Sequence, residues 1–129
     1  MGKWENRETF LQFGKALLRL EEALLRSADQ DDLVIDATIQ RFEFTFELCW
    51  KSMKKFLIEE GLDATTPRQV LQYAYGNKWI HNEALWLGML QDRNLTSHTY
   101  REEQARQIYT RIHKYAPELR NLFQFLSGV

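Results

Sequence analysis

The chain has little that cross-links or interrupts a fold. Its single cysteine, Cys49, excludes an intrachain disulfide. That residue lies in the apolar run from Phe42 to Trp50 and reads as a small buried hydrophobe rather than a reactive thiol. Two prolines and six glycines are too few for the turns of a β-rich fold. Charge of neither sign dominates, with 17 basic against 18 acidic residues, so no global field draws the molecule to nucleic acid or lipid. Any nucleic-acid site must be local. Apolar stretches stay short of the ~20 residues a membrane helix needs. Met1 to Glu5 lacks the apolar centre of a signal peptide, and Asn6 stands where a myristoylation signal wants Ser or Thr. A cytoplasmic protein is the resulting expectation. His81, His98 and His113 are widely separated, and no HExxH spacing, CxxC spacing or glycine-rich phosphate loop occurs. The sequence therefore implies neither a bound metal nor a cofactor.

What is present suits one helical core. A chain of 129 residues, 44% apolar and 13% aromatic, closes one hydrophobic core and is read as a single domain over residues 1–129. Phe10, Phe13, Leu17, Leu20 and Leu24 recur at helical spacing and predict a first helix from about Glu5 to Ser27. Asp29 to Asp32 reads as a turn passing into an N-cap. The second helix, from about Asp32 to Glu60, carries the stripe Ile35, Ile39, Phe42, Phe46, Cys49, Met53 and Phe56. Phe44, Leu48 and Trp50 widen it enough to imply several packing partners. Gly61 suits its end. Thr66 and Pro67 open a short third helix that closes near Gly76. A fourth begins near Asn82 with Leu85, Leu87, Met89 and Leu90. The fifth runs from about Glu102 to Leu126 on Ala105, Ile108, Ile112, Tyr115, Leu119 and Leu122, with Pro117 expected to bend or break it. The predicted fold is all-α, an antiparallel four-helix bundle with one additional short helix.

Two polar features stand out from this apolar pattern. Asp36, Gln40, Glu43 and Glu47 share one face of the second helix at spacings of four, three and four. They form either a solvated strip or a row in which an acid orients an arginine from another helix. The segment Asp92-Arg93-Asn94-Leu95-Thr96-Ser97-His98-Thr99-Tyr100 holds an acid, a guanidinium, an amide, hydroxyls, an imidazole and a phenol. Arginine offers a planar fork of donors for phosphate, and histidine titrates near neutral pH. The pair suits attack of a ribose 2′-OH on the adjacent phosphate, with Arg93 stabilising the charge and His98 moving the proton. In an unbroken helix their spacing would rotate them apart by about 140°. They converge only if the helix ends near Thr96 or Ser97, and hydroxyl residues favour such ends. The plainer reading is a polar helix terminus with a capping histidine. Lys51, Lys54, Lys55, Arg68, Arg101, Arg106 and Arg111 read mainly as solvated surface, with Arg101 placed to meet a phosphate backbone.

The run from Gln40 to Lys51, the Thr66-Pro67-Arg68 helix start and the run from Trp86 to Tyr100 resemble the nucleotidyltransferase substrate-binding subunit family of the HEPN superfamily. The resemblance covers nearly the whole chain in order. It implies a homodimeric bundle bound to a minimal nucleotidyltransferase. Members of this kind carry an arginine and a histidine four to six residues apart that cut RNA without a metal, and Arg93 and His98 match with four residues between them. In toxin–antitoxin members a tyrosine two residues past the histidine receives adenylate from the partner, which silences the toxin; Tyr100 stands there. Asn94 would be the polar residue after the motif arginine. Asp92, Glu43 and Glu47 are the expected supporting groups. A non-catalytic subunit presenting a substrate to the nucleotidyltransferase is the alternative.

Overall fold

The computed structural model describes residues 7–26 and 31–128. Among them the chain forms helices and no strand: α1 (Arg7–Leu24), α2 (Asp32–Glu59), α3 (Pro67–Gly76), α4 (Glu83–Thr96) and α5 (Glu102–Gly128). Four longer helices and the short α3 make the all-α bundle that the spacing predicts. The expected starts of α1 at Glu5 and of the turn at Asp29 and Gln30 lie outside the described residues.

The helix ends follow side-chain chemistry. Asp31 caps α2, its carboxylate accepting from the Leu33 N–H at 2.9 Å. Thr66 and Gln69 form a reciprocal capping box with Pro67 at the first position of α3. Asn82 accepts from the Leu85 N–H to start α4. At the far end of α2, Gly61 takes φ +82°, and the Leu62 N–H reaches back to the Leu57 carbonyl. After α3 the left-handed residue is Lys78 rather than Gly76, with the Trp79 N–H bonded to the Ala74 carbonyl. Pro117 does not break α5. Its ring removes one hydrogen bond, but Tyr115, Ala116 and Leu119 on either side are buried, and that packing holds the helix.

The predicted stripes face inward. Phe10, Phe13, Leu17 and Leu20 of α1 are buried, as are all seven stripe residues of α2, and they join one connected core with α3, α4 and α5. The α2 helix packs against each of the other four, which explains its wide apolar surface. Phe44 is the departure: it stays 62% exposed on the face that carries Glu47. Cys49 is fully buried, and burial pushes its thiol well above the ordinary range, as the inert reading expects.

Candidate functional site

The α4 helix ends at Thr96, with Ser97 as its C-cap, between Arg93 and His98. Two hydroxyls finish it: Thr96 Oγ1 donates to the Arg93 carbonyl at 3.0 Å, and Ser97 Oγ to the Asn94 carbonyl at 2.7 Å. The chain beyond, carrying His98 and Tyr100, is therefore free of the helical rotation that would have separated the two motif residues.

The acid row on α2 meets this helix end. Arg93 Nη2 donates to Glu47 Oε1 in a short contact, and Arg93 Nη1 donates to Asn94 Oδ1 at 3.0 Å. The other oxygen of Glu47 pairs with Lys51 Nζ at 3.2 Å. The single Thr96 hydroxyl proton is shared with Glu43, whose Oε2 lies 2.7 Å from Thr96 Oγ1. Of the polar stripe, Glu43 and Glu47 thus hold α4, while Asp36 and Gln40 are exposed. Burial alone would raise the Glu47 carboxyl. The hydrogen bonds from Arg93 and Lys51 and the charge of Arg93 outweigh it and hold the group below the ordinary carboxylate range. The Trp50 indole N–H, though outside hydrogen-bond geometry, lowers the carboxyl in the same direction.

His98 is exposed, and among the described residues its ring makes no hydrogen bond or ion pair. Tyr100 is half-buried over a small cleft of about 280 Å³, which it lines with Asp32, Asp36, Glu102 and Arg106. Burial, then the negative charges of Asp36 and Glu43, push its phenol above the usual tyrosine value. Its oxygen stays protonated unless another group removes the proton.

Asp92 faces the other way. Its carboxylate is 5% exposed, accepts two bonds from Arg111 at 2.7 and 2.8 Å, and accepts a third from the Tyr115 hydroxyl at 2.6 Å. The Tyr115 phenol is pushed up by burial and by that bond, and the Arg111 guanidinium is raised by the same carboxylate. Gly88 allows the approach, since a Cβ there would meet the Tyr115 oxygen at 3.3 Å. Asp92 and Arg111, read from sequence as a supporting acid and a solvated base, together tie α4 to α5. The signal that points there is Tyr115 within the buried stripe of α5, because a buried phenol needs a partner. Arg106 is likewise engaged, by Asp32 at 2.7 Å, while Arg101 is exposed.

Among the described residues no group of three or more His, Cys, Asp or Glu side chains gathers as a metal site, and no helix is long and apolar enough to cross a membrane. A surface cleft of about 750 Å³ lies away from the motif and is lined by Tyr75, Trp79, His81 and Glu118 among others. The chemistry-bearing groups gather instead at the open end of α4.

Residues 8–128 match the family described as nucleotidyltransferase substrate binding protein like. The chain is 32% identical over 123 residues, covering 80% of it and 81% of the relative, to a Haemophilus influenzae protein named probable ribonuclease HepT. A crystal structure of a Thermus thermophilus protein, 38% identical, is similar with a TM-score of 0.84 over 90% of this chain and 99% of that one. A second structure, from Haemophilus influenzae, is described as revealing the fold of a substrate binding domain of a nucleotidyltransferase. It is 26% identical with a TM-score of 0.70, over 95% of this chain and 97% of that one. With the second-helix acids and the whole Asp92–Tyr100 segment inside the matched region, the chain belongs to the nucleotidyltransferase substrate binding protein like family.

Proposed function

We propose that the protein pairs with a minimal nucleotidyltransferase and acts as a metal-independent ribonuclease toxin that the partner silences by adenylylation. The observation that carries the reading is the end of α4 at Thr96, which releases His98 from the helix while Glu47 and Asn94 hold Arg93. A guanidinium has five N–H donors, and those two contacts leave others for phosphate oxygens. In the reaction His98 takes the proton of a ribose 2′-OH and the 2′-oxygen attacks the adjacent phosphorus. The 5′-oxygen of the next nucleotide then leaves and takes up a proton. Arg93 stabilises the charge that develops on the phosphorus oxygens. The products are a 2′,3′-cyclic phosphate and a 5′-hydroxyl. One arginine and one exposed histidine make a sparse site, and a homodimer with both segments in a shared groove doubles it. The exposed Phe44, beside the acid row, supplies apolar surface for that contact.

Tyr100 is the adenylylation site in this reading. Its raised phenol is a poor nucleophile unaided, so the partner must supply the base, the activated nucleotide and its metal. The added phosphate then engages Arg93 and the nucleoside fills the groove.

Purified protein should cut RNA in the presence of EDTA. His98→Ala should lose about 10²- to 10⁴-fold in rate while remaining folded. Light scattering should give twice the chain mass. Incubation with the partner, ATP and magnesium should add adenylate to Tyr100 and not to the Tyr100→Phe variant. If no RNA is cut, or EDTA stops the reaction, the metal-free nuclease reading is wrong. A substrate-presenting subunit, in keeping with the Haemophilus influenzae domain, then becomes the better account.

A further inference from the structure

The cleft of about 750 Å³ at the other end of α4 collects acids and aromatic rings. Glu83 of α4 and Glu118 of α5 line it, and among the described residues neither carboxylate makes a hydrogen bond or ion pair. No lysine or arginine lines it, and His81 is the one lining residue able to carry positive charge. Tyr75 and Phe125, each about half exposed, and the half-buried Trp79 supply ring surface. Trp86 belongs to the wall as well. Its side chain is fully buried and its indole N–H has no hydrogen-bond partner among the described residues, so the fold leaves one donor there unanswered.

Two unpaired carboxylates repel an anion, so a phosphate or a nucleotide does not suit the cleft. Carboxylates beside aromatic faces suit a cation, and arginine suits them best. Its planar guanidinium pairs with a carboxylate through two N–H groups and stacks on a ring, whereas an ammonium is a compact, strongly hydrated point charge. The backbone that carries an arginine also brings carbonyl oxygens, the acceptors that the Trp86 N–H lacks. With Tyr75 and Phe125 half exposed, the cleft is too open to enclose a small molecule and receives a side chain from a protein surface instead. Glu83 stands in the first turn of α4, where the helix dipole already offsets its charge; Glu118, within α5, has no such offset and is the stronger anchor.

We propose that this cleft docks an arginine side chain of the partner nucleotidyltransferase, with the guanidinium paired to Glu118 and stacked on the aromatic wall. The 14 residues of α4 span ~20 Å between the cleft and the Arg93 end. A small domain is about 30 Å across, so one partner anchored at the cleft still reaches Tyr100. The partner's identity rests on the proposed pairing; the complementarity to arginine does not.

The isotope-labelled full chain is titrated with acetyl-glycyl-arginyl-glycinamide and followed through its indole N–H resonances. The Trp79 and Trp86 signals should shift with one common affinity, and that of Trp50, on α2 and outside the cleft, should not. The citrulline peptide keeps the shape without the charge and should bind about five-fold more weakly, as should the arginine peptide to Glu118→Gln. Glu103→Gln, the same charge change at an exposed position of α5, should bind as the wild type does. Glu118→Gln should also weaken the complex with the nucleotidyltransferase while leaving RNA cleavage by the free protein unchanged. Silent Trp79 and Trp86 signals at millimolar peptide would overturn the site, as would equal losses in Glu118→Gln and Glu103→Gln or equal binding of the citrulline peptide. Shifts of those signals by an all-deoxy strand in place of the peptide would assign the cleft to nucleobases. A change in oligomeric mass in Glu118→Gln would assign it to a second copy of the chain. Peptide bound through Glu118 beside an unaffected nucleotidyltransferase complex would overturn the docking of that partner. A wild type that never binds the nucleotidyltransferase would remove the proposed pairing, and the peptide titration would still decide the chemistry of the cleft.

Discussion

Asp92 and Arg93 are adjacent on α4 and enter two different kinds of ion pair. The Asp92 carboxylate is buried, held by both arms of Arg111 and capped by the Tyr115 hydroxyl. Arg93 keeps about a quarter of its side chain exposed, meets a single oxygen of Glu47, and shares that carboxylate with Lys51. A buried carboxylate with three donors is saturated and can only hold its helices together. A guanidinium with donors to spare, at the open end of a helix, can exchange partners. Two neighbouring residues of one polar segment are thus divided between fold and chemistry by the direction each faces.

The division predicts opposite phenotypes. Arg93→Ala should lower RNA cleavage by about 10²- to 10³-fold while changing stability by no more than ~1 kcal/mol. Asp92→Ala should do the reverse, because it strands the Tyr115 hydroxyl and the Arg111 guanidinium. Breaking a buried pair costs roughly 3–5 kcal/mol. The Arg111 side chain is 44% exposed and regains water, so the expected loss is near the lower end, about 3 kcal/mol. Urea unfolding and a cleavage assay on both variants check the pair. If Arg93→Ala melts the protein and Asp92→Ala silences it without unfolding, the assignment is inverted.

Tyr115→Phe probes the saturated side more gently. Arg111 still holds Asp92, and the ring keeps its stacking on Phe42 at 5.5 Å between centroids. The lost hydrogen bond to a charged group should cost about 1.5 kcal/mol. A pH signature goes with it. The phenol is raised in the folded state, so above its unfolded value, about 10, the unfolded chain gives up a proton that the folded one keeps. Stability is full below that pH and falls as pH rises toward the folded value. The phenylalanine variant should lose Tyr115's share of that alkaline limb.

Sequence chemistry carries the bundle further than the site. Asp31, Thr66, Asn82 and Gly61 mark helix ends by capping and by left-handed backbone, and each does so in the structure. Lys78 escapes such reading because a non-glycine residue in the left-handed region has no compositional signature. The acid row shows which face of α2 is polar, but choosing Glu47 for Arg93 and Glu43 for Thr96 depends on how α4 is rotated and how far along α2 it sits. Apolar spacing in α4 is too weak to give either quantity: Trp86, Met89 and Leu90 are buried, yet so is Asp92, which only the Tyr115 and Arg111 pair on α5 makes tolerable. The lysines of α2 read from sequence as dispersed surface charge, and only the packing of α1 against α2 gathers their side chains around one cleft.

The smallest expected effect tests the exchangeable side. The Glu47 carboxyl sits below its ordinary range because its bonds to Arg93 and Lys51 outweigh the burial that would raise it. Between its folded value and the unfolded one, about 4.3, the unfolded chain takes up a proton that the folded chain refuses. The contribution is therefore complete above that pH and lost as pH falls through the folded value. A third of the Glu47 side chain is exposed, and solvent screening keeps the contribution under about 1 kcal/mol. Glu47→Gln should remove this acid limb, measured as urea midpoints from neutral to acid pH, and should barely change stability at neutral pH. The neutral amide still accepts a hydrogen bond from Arg93 but no longer offsets its charge, so affinity for an uncleavable strand should rise and its salt slope steepen. A loss of stability as large as that of Asp92→Ala would show that Glu47 is also a saturated tie, and the contrast between the two pairs would collapse.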